Sequence, residues 1–189
     1  MRLLPAIAAL FLVTAGGSAM AQAPARPAMH PVRMGLTSTS FADGGVIPDR
    51  YTMKGGAAAG SPQLAWTGAP AGTQSFTLVM HDLDVVIGSS TEDNLHWLAF
   101  NIPATTTTLP EGVPGKATLP DGMVQPYNRT HYGYTPPGAP PGVYHHYVFE
   151  IYALDTKLAL GPTASRADVM KAMEGHVLDR ATLVGRFHR

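Results

Sequence analysis

The sequence predicts a mostly β fold, a sandwich or distorted barrel with a late helical addition. Three observations carry that prediction. Residues 75–81, 94–102 and 144–154 are runs rich in apolar, aromatic and β-branched side chains, at lengths that suit strands. The 20 glycines and 17 prolines are spread between such runs and read as turns. The best helix signal comes late, at residues 165–174, where Ser165 can serve as N-cap ahead of Ala167, Met170, Ala172 and Met173.

In chain order, Met1-Arg2 supplies a short positive start, Leu3 to Val13 an apolar run, and Ala19-Met20-Ala21 a small-x-small pattern. That layout predicts a signal peptide over residues 1–21, cleaved after Ala21, and hence a periplasmic or secreted protein. The apolar run is too short to span a bilayer comfortably. Residues 22–34 are rich in Ala and Pro and read as a linker. The folded domain is expected over residues 35–189. Leu36 to Phe41 has strand propensity, and Asp43-Gly44-Gly45 signals a turn. Tyr51-Thr52-Met53 reads as a short strand closed by Gly55-Gly56, and Leu64-Ala65-Trp66 as another ending at Gly68. Residues 75–81 are apolar on both faces, which predicts a central strand. Residues 94–102 repeat that texture and stop at Pro103. Thr105 to Thr108 suit a solvated edge. Residues 110–141 predict one long loop, of a length that is usually functional or disordered. A strand over 144–154, the helix with its stop at Gly175, and a terminal strand over 183–187 complete the chain.

The composition excludes several classes. With 189 residues, 45% apolar and 14% charged, the chain can bury one substantial core. Lys+Arg and Asp+Glu are both 13, so no basic excess points to nucleic acid or to an anionic membrane surface. There is no cysteine, which removes disulfides, thiolate catalysis and Cys-ligated zinc.

The candidate site comes from polar groups inside apolar strands. His81-Asp82-Leu83-Asp84 and Leu95-His96-Trp97 are answered about fifty residues later by His145-His146-Tyr147. Burying such groups is costly unless they are paired or used, so these strands are expected to line a site. Strand alternation turns His81 away from Asp82 and His146 away from His145. His81 is therefore expected to be a satisfied core or surface histidine, and His176 to interact with the helix C-terminus. Asp84 has an alternative use in the turn that ends its strand, and Tyr147 an alternative as a core tyrosine. Asp82, His96 and His145 could form a His₂-carboxylate metal set, but no His-x-His or His-Glu-x-x-His spacing occurs, so no metal or other cofactor is expected. No Gly-x-Ser-x-Gly elbow and no phosphate-binding Gly-rich loop is present, so no catalytic residue is assigned.

A longer set of pieces resembles the phosphatidylethanolamine-binding protein family, in its bacterial Raf-kinase-inhibitor-like branch. The pieces are Ser61-Pro62-Gln63-Leu64-Ala65-Trp66, Gly68-Ala69-Pro70-Ala71-Gly72-Thr73-Gln74-Ser75, Asp82-Leu83-Asp84, His96-Trp97 and Asn101-Ile102-Pro103. Downstream they continue as Gly133-Tyr134, His145-His146-Tyr147, Tyr152-Ala153-Leu154, Gly175-His176-Val177-Leu178 and Leu183-Val184-Gly185. The resemblance spans roughly residues 35–189. It implies two antiparallel sheets in a Greek-key sandwich with a C-terminal helix. It also implies a small pocket for phosphate or a phosphorylethanolamine head group, formed by Asp82, Asp84, His96, His145 and Tyr147 and rimmed by residues 134–142. The sequence departs from the family where Leu83 and Val86 stand in place of prolines. The expected function is an exported binding protein for a small anionic ligand, not an enzyme. An inhibitor or regulator of an extracytoplasmic protein partner and a weak phosphoester hydrolase remain alternatives. A pocket sized for a head group need not accommodate acyl chains, so membrane association is not expected. Oligomeric state is not legible in the sequence.

Overall fold

The computed structural model describes residues 31, 33–128 and 131–189 of the chain. The expected signal peptide and almost all of the expected linker lie outside the described residues. In chain order the strands are β1 (Gly35–Thr37), β2 (Gly45–Val46), β3 (Leu64–Thr67), β4 (Ser75–Asp82), β5 (Asn94–Pro103), β6 (Thr108–Leu109), β7 (Tyr127–Asn128), β8 (His131–Tyr132), β9 (His145–Leu154) and β10 (Val177–Phe187). Helix α1 (Arg166–Met173) precedes the last strand. A five-stranded sheet has the order β2-β10-β9-β4-β5, and a three-stranded sheet the order β1-β3-β6. All pairings within them are antiparallel except β2 with β10. β7 and β8 form a separate hairpin.

The central strands are apolar on both faces because both faces are covered. Phe76, Leu78 and Met80 of β4 share the inward face with Phe149, Ile151 and Ala153 of β9. They meet Leu36, Leu64, Trp66 and Leu109 of the smaller sheet in the main core. Val79, Tyr152 and Leu154 occupy the outward face, where α1 covers them with Val169 and Met173. An eight-residue helix would not persist alone. It is held by that burial, worth about 1.5–3 kcal/mol for each large apolar side chain, and by a capping box in which Ser165 and Asp168 satisfy each other's backbone amides.

Three elements differ from the sequence expectation. Tyr51-Thr52-Met53 is not a strand; 3-10 turns occupy Asp49–Tyr51 and Met53–Ala58. Gly56, at φ 61°, supplies the kink within the second turn. β1 stops at Thr37 because the Ser38 hydroxyl donates to the Gln63 carbonyl and accepts from the Ser40 amide, which diverts the chain. β10 starts six residues before the expected Leu183, at Val177. Its first half is masked in the sequence by Asp179, which is buried because its carboxylate accepts the Arg33 and Met34 amides.

Residues 110–141 are not one featureless loop. Val124 bridges both Phe100 and Thr118, and the β7–β8 hairpin follows. Fully buried Gln125 anchors the segment. Its Oε1 accepts the Trp97 indole N–H at 2.8 Å, and its Nε2 donates to the carbonyls of Pro114 and Lys116.

Candidate functional site

The site lies where β4 ends and β9 begins. Asp82 pairs with Tyr147 on one side and Asn94 on the other. Alternation places Asp82, His145 and Tyr147 on the inward face, continuing the rows of Met80 and Phe149. His96 arrives by a different route. Met80 pairs with Trp97 but His81 pairs with Leu95, so His96 is the extra residue of a β-bulge. A bulge re-aims the side chains around it. Trp97 joins the main core, Leu95 packs on the outward face, and the His96 ring meets Tyr147 edge-on at 5.1 Å.

Asp82, His96, His145 and Tyr147 thus line one cavity of about 290 Å³, with Asn94 and Val85 beside them. Thr135, Pro136, Gly138, Ala139 and Pro140 form its rim, and Met53 closes one side. Asp82 is buried and fully engaged. Its Oδ2 accepts from His145 Nδ1 at 2.8 Å and its Oδ1 from the Asp84 amide at 3.0 Å. His96 Nδ1 donates to the Thr135 carbonyl at 2.9 Å, and the Thr135 amide donates back to the His96 carbonyl at 2.8 Å. With Nδ1 committed as donor, Nε2 of the neutral ring is an acceptor, and the Asn94 side-chain amide donates to it at 2.9 Å. The Tyr147 phenol is raised well above its ordinary range, first by burial and then by the negative charge of Asp82. The Gly138 and Ala139 amides act in the opposite direction. The phenol therefore stays protonated and donates to Asp82.

This arrangement has a chemical consequence. In the neutral rings, the Nδ1 protons of both histidines are already given away, and Nε2 carries a lone pair. An anion among them needs an N–H at Nε2, so it must enter with a proton or meet an imidazolium. The Asp82 carboxylate, bonded to His145 Nδ1 and the Asp84 amide, fixes the orientation of the His145 ring. Among the described residues, no group of three or more His, Asp or Glu side chains converges to hold a metal ion.

Asp84 does not line this cavity. Its carboxylate turns outward, accepting the His146 amide at 2.6 Å and facing His146 Nδ1 at 3.0 Å. Burial pushes its pKa up, but the bonds to His146 outweigh that and the net shift is downward. Asp84 closes the strand-end turn, the alternative use considered above. Leu83 and Val86, where the family places prolines, are exposed, and the described chain has no cis peptide bond.

His81 lies on the opposite face, as alternation requires. Its Nδ1 meets Asp93 at 2.5 Å and its Nε2 meets Glu150 at 3.2 Å. Arg166 of α1 backs Asp93, and Arg180 of β10 stands 3.6 Å from Glu150. His176 pairs with Asp155 at 2.8 Å, so its partner is a carboxylate as well as the helix end. The expected rim over residues 134–142 supplies Thr135, Pro136, Gly138, Ala139 and Pro140, whereas Asn94, Val85 and Met53 lie outside the expected site. Asn94 sits two residues before His96 and carried the only local hint, since a strand-initial Asn is unusual.

The chain was compared with known proteins. The family profile described as phosphatidylethanolamine-binding protein matches residues 37–188. A UPF0098 protein of Methanothermobacter thermautotrophicus is 46% identical over 157 residues, covering 82% of this chain and 99% of the relative. The UPF0098 protein YbhB of Escherichia coli is 36% identical over 162 residues, covering 82% and 99%. Among solved structures, the phosphatidylethanolamine-binding protein homologue CT736 of Chlamydia trachomatis superposes with a TM-score of 0.72 at 30% identity, covering 84% of this chain and 99% of that one. YbcL of E. coli superposes with a TM-score of 0.68 at 30% identity, covering 83% and 99%.

Proposed function

From the premise that the chain belongs to the phosphatidylethanolamine-binding protein family, we propose that it is an exported small-ligand-binding protein whose cavity takes an anion of the phosphate or phosphorylethanolamine type. The observation that supports this reading is the gathering of His96, His145 and Tyr147 around one cavity, with Asp82 turned to orient His145. Where a proton enters with the anion, the Nε2 positions of His96 and His145 become donors to phosphate oxygens, with the Tyr147 phenol beside them. The carboxylate of Asp82 is occupied by protein donors and offers a place near an ammonium group rather than a direct clash with the anion. Export rests on the layout of residues 1–21.

The test of binding is an NMR titration with O-phosphorylethanolamine. The wild-type protein is expected to show saturable shifts at Asp82, His96 and His145. His96→Ala is expected to weaken binding about tenfold or more, the worth of one charge-assisted hydrogen bond. Unchanged affinity in that variant, or no shifts at millimolar ligand, would remove the assignment. Export is tested separately by mass spectrometry of the protein recovered from its native host. A mature N-terminus at Gln22 in the extracytoplasmic fraction is expected, whereas protein retaining residues 1–21 in the cytosol would overturn it.

A further inference from the structure

A second cavity, of about 370 Å³, opens on the outward face of the larger sheet, between the turn that follows β4 and helix α1. Among the described residues it shares no wall with the Asp82 cavity. Ile87, Leu95, Ala167 and Met170 line it with apolar surface, and Glu92, Asp93 and Arg166 bring charge to the same walls. We infer that this cavity binds a free apolar α-amino acid. Its carboxylate sits on the Arg166 guanidinium, its ammonium on the Glu92 carboxylate, and its side chain between Leu95 and Met170. The inference stands apart from the anion reading of the Asp82 cavity.

The walls are built before a ligand arrives. The Ser90 hydroxyl donates to the Ile87 carbonyl at 2.8 Å and accepts the Glu92 amide at 3.1 Å. The Ile87 amide donates to the Glu92 carbonyl at 3.1 Å. These bonds close the turn on itself and hold the backbone that carries Glu92. On the other side, Ala167 and Met170 are three residues apart and share one face of α1. Val169 and Met173 anchor that helix to the sheet, and Leu95 and Met170, both only partly buried, pack against the same cluster. Both also line the cavity, where the unbranched Met170 thioether can adjust to a guest side chain.

The charges select the ligand. Asp93 is taken up by the protein itself. One of its carboxylate oxygens accepts from Arg166 and the other meets His81 Nδ1 at 2.5 Å. Arg166 uses Nη1 for that bond, and the planar guanidinium carries further donors in a fork that suits a second carboxylate. Glu92 commits its backbone to the turn, whereas its carboxylate belongs to the exposed part of the wall. A simple anion drawn to Arg166 would meet Glu92, and a simple cation drawn to Glu92 would meet Arg166. A zwitterion satisfies both. Ile87, Leu95 and Met170 then favour an amino acid whose side chain is apolar, because a polar one would lose its water against them.

The test is an NMR titration of the wild-type protein with L-leucine, at mildly acidic pH, where both charges of the ligand are present. Saturable shifts are expected at Glu92, Leu95, Ala167 and Met170, with His96 and His145 unmoved. Leucinamide lacks the carboxylate and isocaproate lacks the amine, so each should bind about tenfold or more weakly, the worth of one charge-assisted hydrogen bond. Glycine, which keeps both charges and has no side chain, should not saturate. Glu92→Gln changes an exposed side chain and should leave the fold intact. It should weaken L-leucine about tenfold and leave isocaproate no weaker. Arg166→Lys keeps the positive charge beside Asp93 but loses the fork, and it should also weaken L-leucine. The wild-type comparison of ligands decides the matter even if that variant folds poorly. No shifts at millimolar L-leucine, or shifts confined to the Asp82 cavity, overturn the site. Equal binding of L-leucine, leucinamide and isocaproate overturns the roles given to Arg166 and Glu92, and with them the assignment of an amino acid.

Discussion

Asp82→Ala is expected to abolish O-phosphorylethanolamine binding, with an affinity loss of about two orders of magnitude, or roughly 3 kcal/mol. One carboxylate does three things at this position. It accepts the Nδ1 proton of His145, accepts the Asp84 amide that begins the turn, and lies against the Tyr147 phenol. Removing it leaves the buried His145 ring without its orienting bond. Each orphaned donor also costs about 1–3 kcal/mol of stability. Circular dichroism and a denaturant series must therefore accompany the calorimetry. Asp82→Asn separates the two roles of the carboxylate. The amide is nearly isosteric and can still accept from Nδ1 through its oxygen, so most stability should remain. It carries no charge, so the electrostatic support that the carboxylate gives a bound ligand's cationic group is lost. If Asp82 acts as orienter and counter-charge, Asp82→Asn binds more weakly than wild type. If instead its negative charge mainly repels the phosphate, Asp82→Asn binds more tightly, and the role assigned to it here is wrong.

The fold was legible where burial imposes a simple pattern. β4, β5 and β9 announce themselves as apolar runs because both faces of those strands are covered, one by the smaller sheet and one by α1. The helix was legible from Ser165 because capping is local chemistry. β10 was half hidden because Asp179 reads as a surface residue until Arg33 and Met34, nearly 150 positions away, are seen to bond it. Tyr51-Thr52-Met53 reads as a strand because Tyr and Thr favour strands, yet the segment lies within the 3-10 turns Asp49–Tyr51 and Met53–Ala58. The site divides in the same way. Period-two alternation correctly separated Asp82 from His81 and His145 from His146. It could not place His96, because a bulge adds a residue and resets the period. Nor could it place Thr135 or Met53, which reach the cavity through backbone bonds to His96 and Pro137 from distant segments. Asp84 shows the limit from the other side. It shares its alternation with Asp82, yet the strand ends between them and the chain turns outward.

His81 tests whether the far face of the same strand is structural. Its imidazole is buried between Asp93 and Glu150, which are backed by Arg166 and Arg180. Burial is the largest single influence and opposes charge on the ring. The bonds to Glu150 and Asp93 together overcome it, so the His81 pKa is raised above its ordinary 6.5. Glu150 is lowered first by the His81 bond against the effect of burial, and Asp93 is lowered by Arg166 and His81 although burial pushes it up. A raised histidine stabilises the fold fully below 6.5, and that contribution fades as pH climbs through its raised folded value. The lowered carboxylates contribute above their ordinary values of 4.5 and 3.8, and lose that contribution as pH falls through their depressed folded values. The cluster is therefore most stabilising between those limits, from 4.5 to 6.5. His81→Ala is expected to cost on the order of 3 kcal/mol in that window, because it strands two partly buried carboxylates. The gap between wild type and variant should narrow as the pH is raised, since the wild type then loses the same imidazolium. Taking the difference between the two proteins cancels the titration of the histidines they share. A gap that stays constant from mildly acidic to alkaline pH would mean that the ring contributes packing alone. Affinity for O-phosphorylethanolamine, measured where the variant is folded, should be unchanged. His81 and Asp82 are neighbours in sequence but face opposite layers, so a loss of binding in His81→Ala would show that the sheet couples the two faces.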